Sequence, residues 1–382
     1  MQARSLRHQL PRRINSIPMF PPPAATPGGR WSHPAVIPGL RHNSRMPGSR
    51  PRWPLAAGLA AGVALDALLG DPRRCHPVAV FGQAAAALEA RTYADSRLRG
   101  AAYAATCVLA VAAPAAFVAR GTRNRPLQQA AAAALAVWAV TGARSLHREA
   151  ERIEAELARN DLPAARLALP SLCGRDPAGL SSEEITRAVI ESVAENTCDA
   201  VVAPLLWGAV AGLPGLAAYR AVNTLDAMVG YRSPRYLRFG WASARLDDAA
   251  NWVPARITAA LTVACAFMVP LPGTSAQSPP AEGHLATGSA RSAFQAVLRD
   301  GARHPSPNAG RCEAAFAGAL GVRLGGTNVY GGVAEERPGL GDGRAPEPAE
   351  IGRAIRLSRA VTAATAAVAV LIAITRGGRR NR

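Results

Sequence analysis

The side chains best suited to chemistry gather in two polar runs. Asn223 and Asp226 stand at i, i+3 on one helical face, and Asp248 with Asn251 repeats that spacing, while Asp247 and Asn251 are one turn apart. Acids beside carboxamides either hold an oxygen-liganded metal, hydrogen-bond an amide-rich ligand, or form a buried polar network that locks helices together. Arg245 and Arg256 bracket the second run. Two guanidinium groups beside metal-holding acids are what a polyphosphate requires. Upstream, Glu191, Glu195 and Asp199 follow at i, i+4 and i+8, with Asn196 among them. Like charges at that spacing oppose helix formation unless a cation intervenes. The stripe is therefore either a seat for a hard divalent ion such as magnesium or a solvated face paired with Arg187. Two loops add to the inventory. Asp66, Asp71 and His76 end an apolar run, with His76 either a general base, a phosphate contact or a turn residue before Pro77. Ser306, Asn308 and the Gly-rich Leu324 to Gly332 stretch supply turns whose backbone amides suit an anion.

The elements that must carry these groups are apolar helices. Gly100 to Ala119 and Leu127 to Ala143 are uncharged runs long enough to cross a bilayer, which needs about 17–25 residues. Leu55 to Leu69, Ala200 to Tyr219, Ile257 to Pro270 and Val361 to Thr375 are shorter or interrupted, the second by Pro204, Gly212 and Pro214, and are read as re-entrant or protein-buried. Ser181 with Glu184 forms a capping box for an amphipathic helix that bears the acidic stripe. Gly230 is placed as a helix stop, and 275–290 and Arg337 to Glu350 as loops. The fold class is all-α: a polytopic integral membrane helical protein with re-entrant or amphipathic helices and Gly/Pro-rich loops. Residues 1–50 form an Arg/Pro-rich tail without apolar periodicity, 51–376 one membrane-embedded helical domain, and 377–382 a basic C-terminal tail.

Composition removes several function classes. The net charge of +18 is concentrated in front, since residues 1–65 carry nine arginines and no acid. No arginine-rich face with interleaved aromatics follows, so no nucleic-acid partner is expected. The chain contains no lysine, which excludes a Walker A lysine and a Schiff-base lysine and leaves phosphate chemistry to arginine, backbone amides and metal. The six cysteines show no paired or zinc-like spacing.

The order of motifs resembles the cobinamide synthase family of cobalamin biosynthesis. The resemblance rests on Asp66 to Phe81, Glu191 to Asn196, Asn223 to Tyr231, Phe239 to Arg256 and Ser306 to Gly332, and it spans roughly residues 55 to 370. Arg311-Cys312 and Thr327 depart from the pattern, where Trp-Pro and Pro are expected. Neither departure removes a candidate acid or arginine. The resemblance implies a multi-pass inner-membrane enzyme, with its active site on the cytoplasmic side, that joins adenosylcobyric acid to aminopropanol or its phosphate at the expense of ATP. It implies a corrinoid substrate, lipid as surroundings, other cobalamin-pathway enzymes as partners, and magnesium with ATP as co-substrate rather than a permanently bound cofactor. Glu191, Glu195, Asp226 and Asp248 are then metal ligands, and Asp226, Asp248 and His76 catalytic. Arg245 and Arg256 contact phosphate, while Asn196, Asn223, Asn251, Ser306 and Asn308 contact substrate. A corrinoid permease and a non-catalytic scaffold are the alternatives.

Overall fold

Glycines four residues apart bring the first apolar run into a tight parallel pair. In helix α1 (Trp53–Leu69), a β-carbon at Gly58 would stand 2.5 Å from the Ala133 side chain and one at Gly62 2.4 Å from Val137, both on α4 (Pro126–Val140). Such small-residue contacts are the usual glue between helices in lipid, where apolar burial alone supplies little drive. The computed structural model of the chain describes residues 53–71, 76–268, 288–330 and 333–379, so the tail at 1–50 and the expected loop over 275–287 lie outside the described residues.

Helices α2 (Pro77–Thr92) and α3 (Arg97–Gly121) link α1 to α4, and α13 (Ala349–Arg379) closes the chain. Residues 377–379 continue α13. Helix α13 runs the full depth of the fold. Ser358 near its start meets His147 and Thr197, whereas Ala369 and Ala373 pack with Ala56 and Leu59 of α1. Between these lie α5 (Ala143–Ala158), α6 (Leu162–Ala168), α7 (Ser182–Thr197), α8 (Ala203–Val229), α9 (Tyr236–Phe239), α10 (Trp241–Met268), α11 (Ala290–Arg299) and α12 (Ala309–Leu320). The largest apolar core joins α5 to α7 with α10 to α13, and a second joins α1, α4, α8 and the far half of α13.

Among the described residues, three helical segments are long and apolar enough to cross a membrane: 97–121, 182–229 and 349–375. The fold is thus the expected all-α membrane architecture, with three local differences. Val361 to Thr375, read as a marginal run, is the far half of the 27-residue apolar segment 349–375. The run from Leu127 stops as a 15-residue helix because Thr141 turns extended (ψ 156°) and Gly142 opens α5. The expected loop after Arg337 begins instead as a strand: β1 (Leu324–Tyr330) and β2 (Val333–Leu340) pair antiparallel, with Gly326 opposite Arg337. A bulge beside Gly325 twists the ribbon.

The 182–229 segment does not run straight. Asn223 Nδ2 lies 3.3 Å from Asp199 Oδ2, although 24 residues of continuous helix would separate them by about 36 Å. The reversal occurs at Gly212, whose φ of 68° and ψ of −156° fall in a region open essentially to glycine alone. Pro214 follows, and Gly215 lets the return arm touch Ala211 and Trp207. The uncharged run around Gly212 is therefore the turn of a re-entrant helical hairpin, with its polar residues at the open end.

Above the hairpin, α5, α7 and α13 share a buried hydroxyl and imidazole chain. His147 Nε2 is 2.9 Å from Ser358 Oγ, which is 2.7 Å from Thr197 Oγ1. Burial, assisted by Arg359, lowers the His147 pKa to about 4. An unfolded chain binds that proton near pH 6.5, so between those values the unfolded state holds more protons and stability falls with falling pH. The full effect is roughly 3 kcal/mol. Thermal midpoints at pH 7.5 and 5 are expected to separate more for the wild type than for His147→Gln; equal separations would refute this role.

Candidate functional site

The site is built on α7, whose start is fixed by the expected capping box. Ser181 Oγ accepts from the Glu184 N–H (3.2 Å), and Glu184 Oε2 accepts from the Ser181 N–H (2.8 Å). Downstream, Arg187 donates to the carbonyls of Gly325 and Thr327, the latter at 2.9 Å, and Glu191 Oε1 accepts the Gly325 N–H at 2.7 Å. Glu191 is also paired with the buried Arg175. These contacts strap the β1–β2 ribbon onto α7. Gly326 must lack a side chain, since a β-carbon there would meet the Arg187 guanidinium at 2.4 Å.

A single π-turn at Cys198–Val202 joins α7 to α8 and turns Asp199 toward the return arm. There a network connects three chain segments. Asn223 Nδ2 is shared between Asp199 Oδ2 (3.3 Å) and Asp247 Oδ1 (3.4 Å), while Asn223 Oδ1 accepts from Arg220 (3.4 Å). Asn251 donates to Asp247 Oδ2 (3.0 Å) and accepts from the Tyr219 hydroxyl (2.8 Å). Asp226 stands one turn beyond Asn223, within electrostatic reach of Asp247, Asp248 and Glu195, and makes no hydrogen bond through its carboxylate to a described residue. Gly230 makes room for it: a β-carbon there would lie 1.9 Å from Asp226 Oδ1. Glu195, in the last turn of α7, is exposed and faces Arg337, Asp247, Glu191 and Arg175. Burial raises the pKa of Asp247, which the Asn251 and Asn223 amides oppose, and of Asp248, which Arg245 opposes.

The rim comes from the loop before α12. Asn308 Nδ2 donates to the Asp248 carbonyl (2.9 Å), and Ser306 Oγ accepts from the Asn308 and Ala309 amides (3.3 and 3.2 Å). His304 Nδ1 accepts from the Ser306 N–H (3.1 Å), and its ring is seated because Gly310 has no side chain to strike it. On its other side, His304 Nε2 stands 3.8 Å from Glu313 Oε1 and 3.2 Å from Arg337 Nη1. Burial, then the charge of Arg337, lowers the His304 pKa. Burial, followed by Glu191 and Glu195, pushes the Glu313 carboxyl well above its usual range.

Of the residues expected from sequence, Glu195, Asn223, Asp226 and Asn251 meet in this cluster, and Asp248, Ser306 and Asn308 border it. Glu191 lies beneath, held by Arg175 and Gly325. Asn196 folds back on its own helix, donating to Ser192 O (3.0 Å). His76 caps α2 by accepting from the Val78 N–H (3.2 Å) and stands 4.0 Å from Asp71, whose charge is felt by Arg220. Arg245 is exposed and pairs with Asp248 at 3.8 Å. Arg256 lies three turns further along α10, about 16 Å by helical rise, stacked 3.9 Å over the Trp252 ring. The guanidinium groups facing Glu195, Asp199 and Glu313 are Arg175, Arg220 and Arg337. Sequence reasoning missed Arg175, Tyr219 and Glu313. Glu313 left one signal, a lone acid in an Ala-rich helix.

The Arg175–Glu191 pair carries a stability prediction. Removing one partner of a buried pair strands a charge, so Arg175→Gln is expected to cost about 3–5 kcal/mol. Arg175→Gln with Glu191→Gln should recover part of that loss in thermal midpoint. A double variant no better than the single would contradict the pairing.

A re-entrant hairpin whose open end gathers carboxylates, amides and guanidinium groups, among helices long and apolar enough to cross a membrane, defines a polytopic helical membrane protein with a polar site. The chain belongs to the family described as CobD/Cbib protein, which matches residues 59–358. It is 53% identical over 322 residues to the cobalamin biosynthesis protein CobD of Mycobacterium tuberculosis (strain ATCC 25618 / H37Rv), covering 84% of this chain and 96% of that protein. The same-named proteins of Geobacter metallireducens and Chromobacterium violaceum are 46% and 40% identical, over 75% and 78% of this chain and 86% and 90% of theirs. No solved structure matches. Its role is in cobalamin biosynthesis.

Proposed function

We propose that the protein is an ATP-dependent ligase that forms an amide between a propionate of adenosylcobyric acid and aminopropanol or its O-phosphate. The carrying observation is the meeting of half-exposed Asp199, Asp226 and Asp247 and exposed Glu195 beside Arg220 and Arg337. A nucleotide's phosphates need guanidinium groups where lysine is absent, and its magnesium needs one or two carboxylates. Magnesium is expected to arrive with the nucleotide as part of the co-substrate. Asp226 and Glu195 fit that demand, since neither carboxylate hydrogen-bonds a described residue. Magnesium would lower the negative charge that the corrinoid carboxylate must approach.

The chain's own groups do the rest. Arg337 and Arg220 draw charge from the transferred phosphoryl, with Arg245 a further contact at the rim. The propionate oxygen attacks the γ-phosphorus, ADP leaves, and the amine displaces phosphate from the acyl phosphate while giving up a proton to a carboxylate of the cluster or to His76. Asn223, Asn251, Asn308 and Ser306 supply the amide and hydroxyl contacts that orient a carboxamide-rich corrinoid.

The test is to incubate detergent-purified protein with adenosylcobyric acid, either amine and magnesium ATP, following corrinoid mass and ADP together. A mass gain of the new amide coupled to ADP supports the ligase. Folded protein that gives no product with either amine refutes it and returns weight to transport or scaffolding.

A further inference from the structure

We propose that the collar formed by the α2–α3 connection and α9 binds anionic phospholipid headgroups. Its depth follows from α3, an apolar helix of 25 residues that is mostly unburied within the protein and so faces lipid. Gly100, in the first turn of α3, presses on the Phe239 carbonyl, where a β-carbon would come within 1.8 Å, so α9 sits level with the point at which the chain enters the membrane. Leu98 (80%), Leu237 (61%) and Trp241 (42%) are exposed there. Such side chains suit the boundary between acyl chains and headgroups, where tryptophan rings also collect.

Arginines surround them. Arg91, Arg97 and Arg99 are exposed and make no ion pair with a described carboxylate, while Arg235 and Arg238 are partly neutralised by Glu89 (3.0 Å) and Asp95 (3.6 Å). Arg97 lies 5.4 Å over the Trp241 ring, so cationic and aromatic groups share one patch. A guanidinium whose stem lies on apolar surface and whose head reaches outward meets a phosphate at that depth. The uncompensated positive charge selects an anionic headgroup over a zwitterionic one, at roughly fivefold per arginine near the surface.

The test uses full-length protein purified in mild detergent from membranes that contain both phosphatidylethanolamine and phosphatidylglycerol, with retained lipid quantified by mass spectrometry. Wild-type protein is expected to retain phosphatidylglycerol above its share of the parent membrane. Arg91→Gln/Arg97→Gln/Arg99→Gln should fall to the parent ratio, and Arg120→Gln/Arg123→Gln/Arg125→Gln, at the other end of α3, should not. No enrichment in the wild type, enrichment unchanged in the collar variant, or loss in the far-end variant would each overturn the proposal. Should the collar variant fail to fold, the wild-type thermal midpoint decides: a rise with short-chain phosphatidylglycerol but not phosphatidylcholine supports it, and equal responses overturn it.

Discussion

Asp226→Asn is expected to lower kcat for amide formation by roughly 100- to 1,000-fold, with the thermal midpoint unchanged or raised. The two readouts move apart for one reason. The Asp226 carboxylate makes no hydrogen bond to a described residue and faces Asp247, Asp248 and Glu195, so folding gains nothing from its charge and loses something to repulsion. Charge kept at such a cost is characteristic of groups held for function. An amide in the same volume removes the repulsion together with the charge that a magnesium nucleotide would need. Turnover near wild type would remove Asp226 from the proposed chemistry. A large loss of stability would instead make it a structural member of the network.

Gly212→Val is expected to have the largest structural effect. Its φ and ψ are closed to a β-branched residue, at about 1–3 kcal/mol of strain. The chain that avoids this strain by continuing as a helix carries Asn223 about 36 Å from Asp199 and dismantles the cluster. Accumulation of folded protein in membranes should fall severalfold, and activity per folded molecule should fall with it. Gly121→Val is the control, because nothing lies within 4 Å of the β-carbon it would add. If the two variants behave alike, the reversal at Gly212 does not organise the site.

Local physics was readable directly from the amino-acid order. The Ser181 and Glu184 cap, the stop at Gly230 and the apolar runs all depend on groups within one or two helical turns, where spacing dictates contact. The i, i+3 and i, i+4 spacings likewise placed Asn223 with Asp226, and Asp247 with Asn251, on shared faces. The family resemblance carried the identity of the site further than any single motif did.

Tertiary structure decided which faces meet. Helix periodicity is blind to a reversal inside an apolar run, so only the fold sets Asp199 against Asn223 and Asp247. Glu313 and Arg175 join the acids through contacts between distant segments, and Arg337 arrives on a strand that Gly-rich sequence presents as a loop. Arg256, expected from sequence to contact phosphate together with Arg245, is committed to the Trp252 ring three turns further along α10. The division is one of range: propensity, capping and face periodicity act along the chain, whereas the pairing of charges across it waits on packing that no local pattern encodes.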